Sequence, residues 1–171
     1  MSQIDSTFTE ISDTTDLTPE YLSALAQFDS TPARVQVRTI RFAQDSISNT
    51  FSDGTRLQTE IDRYLRDYRD APARAEAIRR DGNYSVIRVI QHEGNWFSLD
   101  NRRLFVAKEV LRNPAGTGRG AGPIQEILVV RLTPPLTPQQ TEEWRTKFHP
   151  QNNGLSIRFG PAGSPVVTFP A

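Results

Sequence analysis

The chain has 171 residues, contains no cysteine and carries 20 basic and 20 acidic side chains. This length fits one compact domain with short additions, and 36% hydrophobic with 23% charged residues is a globular rather than a disordered composition. Without cysteine the chain can hold no disulfide, no thiolate metal site and no cysteine nucleophile.

The sequence also argues against a membrane location. It contains no run of about 18 apolar residues, the minimum for a bilayer-spanning helix. Its first residues are acidic and polar, whereas a secretory signal is basic and then apolar. We therefore expect a cytoplasmic protein with no membrane partner, and delivery by a route without a cleaved signal stays open.

The net charge of zero is the sum of two unlike parts. Residues 1–30 contain six acidic side chains and no lysine or arginine, which leaves 20 basic and 14 acidic residues in the rest of the chain. Eighteen of the basic residues are arginine, an excess that a GC-rich genome also produces. Neutrality is thus weak evidence against a phosphate partner. The acidic segment is a candidate to cover the basic body or to bind a protein partner.

The predicted elements begin with a flexible arm over residues 1–16. Thr18 as N-cap and Pro19 at the first helical position predict a helix that continues to Phe28. Apolar and polar residues then alternate over 35–42, which predicts a strand with a bulge.

The middle of the chain combines helical and hairpin patterns. Asp53-Gly54 predicts a tight turn, and apolar residues at helical spacing predict an amphipathic helix over 55–70. Residues 71–84 are interpreted as a linker with a short basic helix. Turn and strand residues over 86–99 predict a β-hairpin.

A further helix follows directly on the hairpin, starting at a polar pair at 100–101. The glycine-rich segment 113–123 ends it as a loop. The apolar run 127–132 predicts a strand buried on both faces. Thr137 and Pro138 predict the start of a last helix, and the tail is expected to hold one short strand and then irregular chain.

These elements predict an α+β fold, a small mixed sheet with flanking helices. We expect three parts: an acidic arm and short helix over 1–30, a core domain over 31–132, and a C-terminal helix and tail extension over 133–171. The C-terminal extension is a second candidate surface for a protein partner.

The most specific local pattern is Asp100-Asn101-Arg102-Arg103 at the start of the helix predicted after the hairpin. A helix N-terminus offers unpaired backbone N–H groups and a partial positive charge, and guanidinium groups match phosphate oxygens. Two arginines in a first turn oppose the helix dipole by about 0.3–1 kcal/mol each, so the pattern suggests an anion site. The alternative is that Asp100 caps the helix and one arginine pairs with a carboxylate elsewhere.

Other chemistry-bearing side chains are weaker candidates. Arg38, Arg41 and Arg88 fall on predicted strands, where they form either a basic sheet face or solvated charges. The two histidines, His92 and His149, do not have metal-ligand spacing.

The order of elements, with two arginines opening a helix after a hairpin, resembles the ParB/sulfiredoxin-like superfamily. Residues 100–103 occupy the place of a Gly-Glu-Arg-Arg box that contacts nucleotide phosphates in ParB-type domains. Residues 40–47 are similar to the family's early Ile-x-x-Ser-Ile box, 55–68 to its middle helix, and 85–89 to the segment before its hairpin. The resemblance covers about residues 35–111.

The resemblance implies a phosphate site built from Arg41, Gln44, Ser46, Asn101, Arg102 and Arg103. It also implies that Asp100, Arg102 and Arg103 carry any catalysis, with Asp100 holding Mg²⁺ as the cofactor. Because Asp100-Asn101 replaces the family's Gly-Glu, the role of that carboxylate passes to Asp100 or is lost. Sulfiredoxin activity is excluded, since it needs a cysteine.

The form of the box is similar to stand-alone or toxin-associated, nuclease-like ParB domains. We therefore expect a domain that binds nucleotide or nucleic-acid phosphate at a helix N-terminus, with metal-assisted phosphoester hydrolysis as its chemistry. Two alternatives stay open: a nucleotide-dependent phosphotransferase on the same fold, and a non-catalytic phosphate- or protein-binding module.

Overall fold

The computed structural model describes residues 8–71, 86–112, 126–150, 152–159 and 166–169. Four α-helices in these ranges accompany a six-stranded mixed sheet and a three-stranded sheet, which confirms the predicted α+β class. None of the described helices has the length and hydropathy needed to cross a bilayer. Almost all of the predicted linker 71–84 and the whole loop 113–123 lie outside the described residues.

The elements follow the chain as four helices and nine strands within the described ranges. The helices are α1 (Pro19–Gln27), α2 (Leu57–Asp70), α3 (Asn101–Arg112) and α4 (Pro138–Lys147). The strands are β1 (Phe8–Glu10), β2 (Ala33–Gln36), β3 (Ile40–Phe42), β4 (Ser46–Ile47), β5 (Arg88–His92), β6 (Asn95–Ser98), β7 (Glu126–Leu132), β8 (Ser156–Phe159) and β9 (Val166–Thr168).

The large sheet has the order β1-β2-β7-β5-β6-β3, and the small sheet the order β4-β8-β9. Antiparallel pairs join β1 to β2, β2 to β7 and β5 to β6, whereas β5 and β7 run parallel, as do β3 and β6. Because β3 and β6 are parallel neighbours, the carboxyl ends of both strands lie at the same end of the sheet. Helix α3 begins there, directly after β6. This arrangement positions the candidate site.

Strand β7 is buried on both faces, as its apolar run predicts. Ile127 and Val129 pack in the cluster that contains the apolar side chains of α2 and α3, whereas Leu128 and Val130 pack against α1. Helix α1 therefore covers one face of the sheet, and α2 and α3 cover the other.

Local signals place the helix starts correctly. The Thr18 hydroxyl accepts a hydrogen bond from the Tyr21 N–H at 3.3 Å, and Thr137 forms a reciprocal capping box with Gln140. The predicted hairpin is also present, with Glu93 and Gly94 both at positive φ in its turn. These starts and this turn depend on residues adjacent in sequence, which is why the sequence predicts them.

Three predictions about strands are wrong. Residues 8–10 form β1 at the sheet edge instead of part of a flexible arm. Segment 35–42 is not one bulged strand: a 3₁₀ turn at Val37–Thr39 separates β2 from β3, which lie far apart in the sheet. The Thr39 hydroxyl closes this turn by donating to the Gln36 carbonyl at 2.7 Å. The tail contains β9 in addition to β8.

Tyr21 links α1 to the sheet. Its hydroxyl donates to the Val129 carbonyl at 2.7 Å and accepts from the Ala33 N–H at 3.2 Å, and the side chain is 1% exposed. Burial raises its pKa to about 12, so the hydroxyl is neutral. The single oxygen therefore satisfies one buried group on each of two neighbouring strands.

Replacing Tyr21 by phenylalanine should lower the free energy of unfolding by about 2 kcal/mol, because one N–H and one carbonyl lose a buried partner. Urea denaturation monitored by fluorescence measures the change. The matched control is Leu22→Ala on the same helix, where the side chain is 38% exposed and the effect should stay within about 0.5 kcal/mol. Equal effects of the two substitutions would contradict the bridging role of Tyr21.

Candidate functional site

A cleft of about 610 Å³ opens where the N-terminus of α3 faces the chain that follows β3. Its lining includes six of the site residues predicted from the sequence: Gln44, Ser46, Asp100, Asn101, Arg102 and Arg103. Of these, the first two come from the segment after β3 and the other four from the start of α3. The structure thus brings together two segments more than 50 residues apart in the sequence.

Asn101 fixes the relative position of the two segments. Its side chain is 3% exposed, its Oδ1 accepts from the Ala43 N–H at 2.8 Å, and its Nδ2 donates to Gln44 Oε1 at 3.1 Å. Both ends of the amide are used inside the protein. Asn101 is therefore placed to shape the floor of the cleft.

Asp100 does not cap α3 with its side chain. Its backbone carbonyl accepts the first helical hydrogen bond, from the Leu104 N–H at 2.9 Å. Its carboxylate instead accepts from Arg88, with Nε at 3.0 Å from Oδ2, Nη2 at 2.9 Å from Oδ1 and the backbone N–H at 2.8 Å from Oδ2. The alternative in which Asp100 caps the helix is wrong, because this carboxylate is bound on both oxygens by Arg88.

The first turn of α3 keeps its own N–H groups available. None of the hydrogen bonds between described residues uses the backbone N–H of Asn101, Arg102 or Arg103. Such groups at a helix N-terminus, together with the helix dipole, favour an anion.

The two arginines are anchored by single contacts to backbone carbonyls. Arg102 donates from Nη1 to the Thr50 carbonyl at 2.7 Å, and Arg103 donates from Nη1 to the Val86 carbonyl at 2.8 Å. Arg102 is partly buried and Arg103 is exposed. Since a guanidinium has five N–H donors, each arginine retains donors for a ligand.

Arg41, predicted as a phosphate ligand, is not among the residues that line the cleft. It donates from Nη1 to the Asn153 carbonyl at 2.8 Å. Its backbone neighbourhood is crowded, because a Cβ on Gly154, which has φ +81°, would lie 2.7 Å from Arg41 Cβ and 2.7 Å from the Phe42 carbonyl oxygen. Arg41 is thus packed against the 3₁₀ turn at Asn152–Gly154.

The cleft also contains residues that the sequence analysis missed. Ser48 and Ser52 extend the row of hydroxyls begun by Ser46, Phe51 contributes an aromatic wall, and Lys147 reaches the cleft from α4. The serines lie in a segment with no regular pattern. Lys147 is 44 residues beyond Arg103, and no sequence signal connects it to the site.

An ion-pair network, which we call the Arg88 network, joins Lys147 to Asp100. Arg88 donates to Glu143 from Nη1 at 3.0 Å and from Nη2 at 2.6 Å, in addition to its bonds to Asp100. Lys147 donates to Glu143 at 2.9 Å and to the Leu99 carbonyl at 2.7 Å. The hydrogen bonds from Arg88, followed by those from Lys147, lower the pKa of Glu143 to about 2. Burial acts against the charge of Arg88, but the two carboxylates raise its pKa overall.

The residues of the cleft do not fit the Mg²⁺ site implied by the resemblance. Both oxygens of Asp100 already accept hydrogen bonds from Arg88. In the part of the chain that the structure describes, no three His, Asp or Glu side chains come together in a way that could hold a metal ion.

None of the residues that line this cleft comes from the described part of the acidic N-terminal segment. Glu10 on β1 accepts from Arg131 at 2.7 and 2.9 Å, and β1 is at the opposite edge of the sheet from β3.

Comparison of the chain with protein-family models, with curated proteins and with solved structures finds no match.

Proposed function

We propose that the cleft at the N-terminus of α3 binds the phosphate group of a nucleotide or of a nucleic acid. The observation that carries this proposal is that Arg102, Arg103, Ser46 and Ser52 line one cleft at the N-terminus of α3, where the backbone N–H groups of residues 101–103 have no hydrogen-bond partner among the described residues. Each of these groups donates hydrogen bonds, and phosphate oxygens only accept them.

The charge balance of the cleft supports an anionic ligand. Asp100 is the acidic side chain that lines it, and Arg88 neutralises that carboxylate from behind. The remaining charged side chains of the lining are Lys147, which is paired with Glu143 at 2.9 Å, and Arg102 and Arg103, which bind only backbone carbonyls among the described residues. A phosphate therefore meets a positive surface.

The size and the apolar wall favour a ligand larger than a free phosphate ion. Small-molecule sites are usually about 300–1,000 Å³ in volume, and this cleft measures about 610 Å³. The lining also includes the aromatic Phe51 and the aliphatic Ile47. A nucleotide combines a phosphate with a planar base that stacks on aromatic rings.

The proposal is one of binding, and the ParB/sulfiredoxin-like resemblance stays part of it as a prediction. Metal-assisted hydrolysis requires a free carboxylate, and Asp100 is held by Arg88. The non-catalytic alternative therefore describes the geometry better than the nuclease-like one. Binding that persists without a divalent metal and after Asp100→Asn is the result we expect.

Thermal-shift measurements with a panel of nucleotides and short oligonucleotides, with and without magnesium, test the proposal. The double variant Arg102→Ala/Arg103→Ala should bind about tenfold or more weakly, because each lost charge-assisted hydrogen bond costs about 1.5–3 kcal/mol. The matched control is Arg69→Ala/Arg145→Ala, which removes the same charge from side chains that are 70% and 74% exposed.

The control should bind as the wild type does. If no phosphate ligand stabilises the wild-type protein, the cleft is not a phosphate site. If both double variants weaken binding equally, the effect is one of net charge, and the proposed site is wrong.

A further inference from the structure

The charged groups at the cleft divide into a balanced set and an unbalanced set. The balanced set is the Arg88 network, in which the two cations Arg88 and Lys147 contact the two carboxylates of Asp100 and Glu143. The formal charges of these four side chains add up to zero. Lys147 and Asp100 line the cleft, so the network contributes no net charge to its wall.

The unbalanced set consists of Arg102 and Arg103. Each donates a hydrogen bond to a backbone carbonyl, and among the described residues neither guanidinium pairs with a carboxylate. By contrast, Arg63, Arg69 and Arg145 on the protein surface each form an ion pair, at 2.7, 2.9 and 2.6 Å. The cleft therefore carries two positive charges for which the described chain supplies no counter-charge.

The hydrogen-bond donors of the cleft also exceed what one phosphodiester can accept. A guanidinium has five N–H donors, and Arg102 and Arg103 each use one of them. The hydroxyls of Ser46 and Ser52, both in the lining, form no hydrogen bond with a described residue. A phosphodiester offers two non-bridging oxygens and one negative charge. A terminal phosphate monoester offers three such oxygens and a charge of about −1.5 to −2 at pH 7.

We propose that the cleft binds a terminal phosphate monoester in preference to the phosphodiester of a nucleic-acid backbone. This inference rests on the proposed function and narrows its ligand class. A doubly charged phosphate balances both Arg102 and Arg103, whereas a diester leaves one guanidinium charge uncompensated. Its third oxygen also accepts hydrogen bonds from donors that a diester leaves unused. Free nucleotides and the ends of nucleic-acid strands both present such a group.

Calorimetric titration with matched pairs of nucleotides tests the inference. Each pair consists of a nucleoside 5′-monophosphate and its 3′,5′-cyclic form, which share base and sugar but differ in the charge of the phosphate. All four bases are used, in buffer without divalent metal at about pH 7.5. We expect the 5′-monophosphate to bind about tenfold or more tightly, because one additional hydrogen bond between charged groups is worth such a factor.

The pH of the titration separates the charge of the ligand from its shape. A phosphate monoester releases its second proton with a pKa of about 6, whereas the cyclic form keeps one charge. Affinity for the 5′-monophosphate should fall about fourfold between pH 7.5 and pH 5.5, since the doubly charged fraction falls by about that factor. The cyclic form, measured at the same two pH values, corrects for any effect of pH on the protein.

A single substitution tests which charges produce the preference. Arg102→Met removes one of the two unbalanced charges and should lower the ratio of the two affinities severalfold. Arg69→Met is the matched control, because the Arg69 side chain is 70% exposed and pairs with Asp70. The control should keep the full ratio, and an equal fall in both variants would contradict the assignment to Arg102.

Short oligonucleotides with a 5′-phosphate or a 5′-hydroxyl identify the source of the phosphate. If the phosphorylated oligonucleotide binds more tightly than the 5′-monophosphate, the ligand is a strand end, and the reverse order indicates a free nucleotide. Equal binding of the 5′-monophosphate and its cyclic form, or of both oligonucleotides, would overturn this inference and leave the phosphate site in place. Binding of none of these compounds would overturn the proposed function as well.

Discussion

Replacing Arg88 by methionine is expected to lower the free energy of unfolding by about 3 kcal/mol. Removal of one partner of a buried ion pair costs about 3–5 kcal/mol because the other charge stays buried, and partial exposure places this network at the lower end. The Arg88 side chain is 18% exposed and that of Asp100 is 14% exposed. Urea denaturation at pH 7 provides the measurement.

The double variant Arg88→Met/Asp100→Asn distinguishes two causes of the lost stability: the unpaired carboxylate of Asp100 and the lost packing of the Arg88 side chain. If the unpaired Asp100 carboxylate causes most of the loss, the second substitution should restore about half of it. Arg63→Met is the matched control: Arg63 is 50% exposed and pairs with Glu60 on the surface of α2, so its loss should cost about 0.5 kcal/mol or less. A cost for Arg88→Met no larger than this would show that the network does not stabilise the fold.

Replacing Lys108 by methionine should raise the free energy of unfolding by about 3 kcal/mol at pH 7. Burial lowers the pKa of Lys108 from 10.5 to about 8. Each pH unit of this lowering corresponds to about 1.4 kcal/mol by which the protonated amine destabilises the folded protein. Lys108 is 3% exposed, its Nζ has no hydrogen-bond partner among the described residues, and the rings of Phe42 and Phe169 lie 5.5 and 5.6 Å from it. Methionine has a similar length and occupies the same space without a charge. Urea denaturation monitored by fluorescence provides the measurement.

The pH dependence identifies the origin of this gain. Between pH 8 and about 10.5 the folded protein has lost the Lys108 proton while the unfolded chain still holds it, so wild-type stability rises with pH. The advantage of Lys108→Met should therefore be largest below pH 8 and shrink as the pH approaches 10.5. An advantage independent of pH, or a loss of stability at pH 7, would contradict an uncompensated charge at Lys108.

The sequence predicts the elements whose signals are local. Pro19 and Pro138 each follow a threonine cap, and both open helices. The Glu93-Gly94 turn closes the hairpin, and the apolar run of β7 is buried on both faces. The sequence does not predict β1, because this strand has only three residues and is defined by its pairing with β2, about 25 residues later in the chain. The 3₁₀ turn that divides 35–42 is closed by the Thr39 side chain, which donates to the Gln36 carbonyl, a bond that the alternation of apolar residues does not reveal.

The candidate site is predicted in part for the same reason. Arg102 and Arg103 are recognisable because two cations oppose the dipole of the helix that they open, a conflict visible in the sequence. The fate of Asp100 is not visible, since it depends on Arg88 from the facing strand and on Glu143 from a helix 43 residues later. Nothing in the apolar spacing of α3 distinguishes Lys108 from a surface lysine.

The position of β7 between β2 and β5 has a consequence for synthesis on the ribosome. Ala33 pairs with Val129, and Arg88 pairs with Val130, so β1 and β2 have no hydrogen-bonded link to β5, β6 and β3 until β7 has emerged. At roughly 5–20 residues per second, the chain from β2 to β7 takes roughly 5–20 s to make. Once β5 has also been made, the nascent protein exposes two unpaired strand edges, one on β2 and one on β5, until β7 follows. Such edges are the features that chaperones shield and that neighbouring chains can capture.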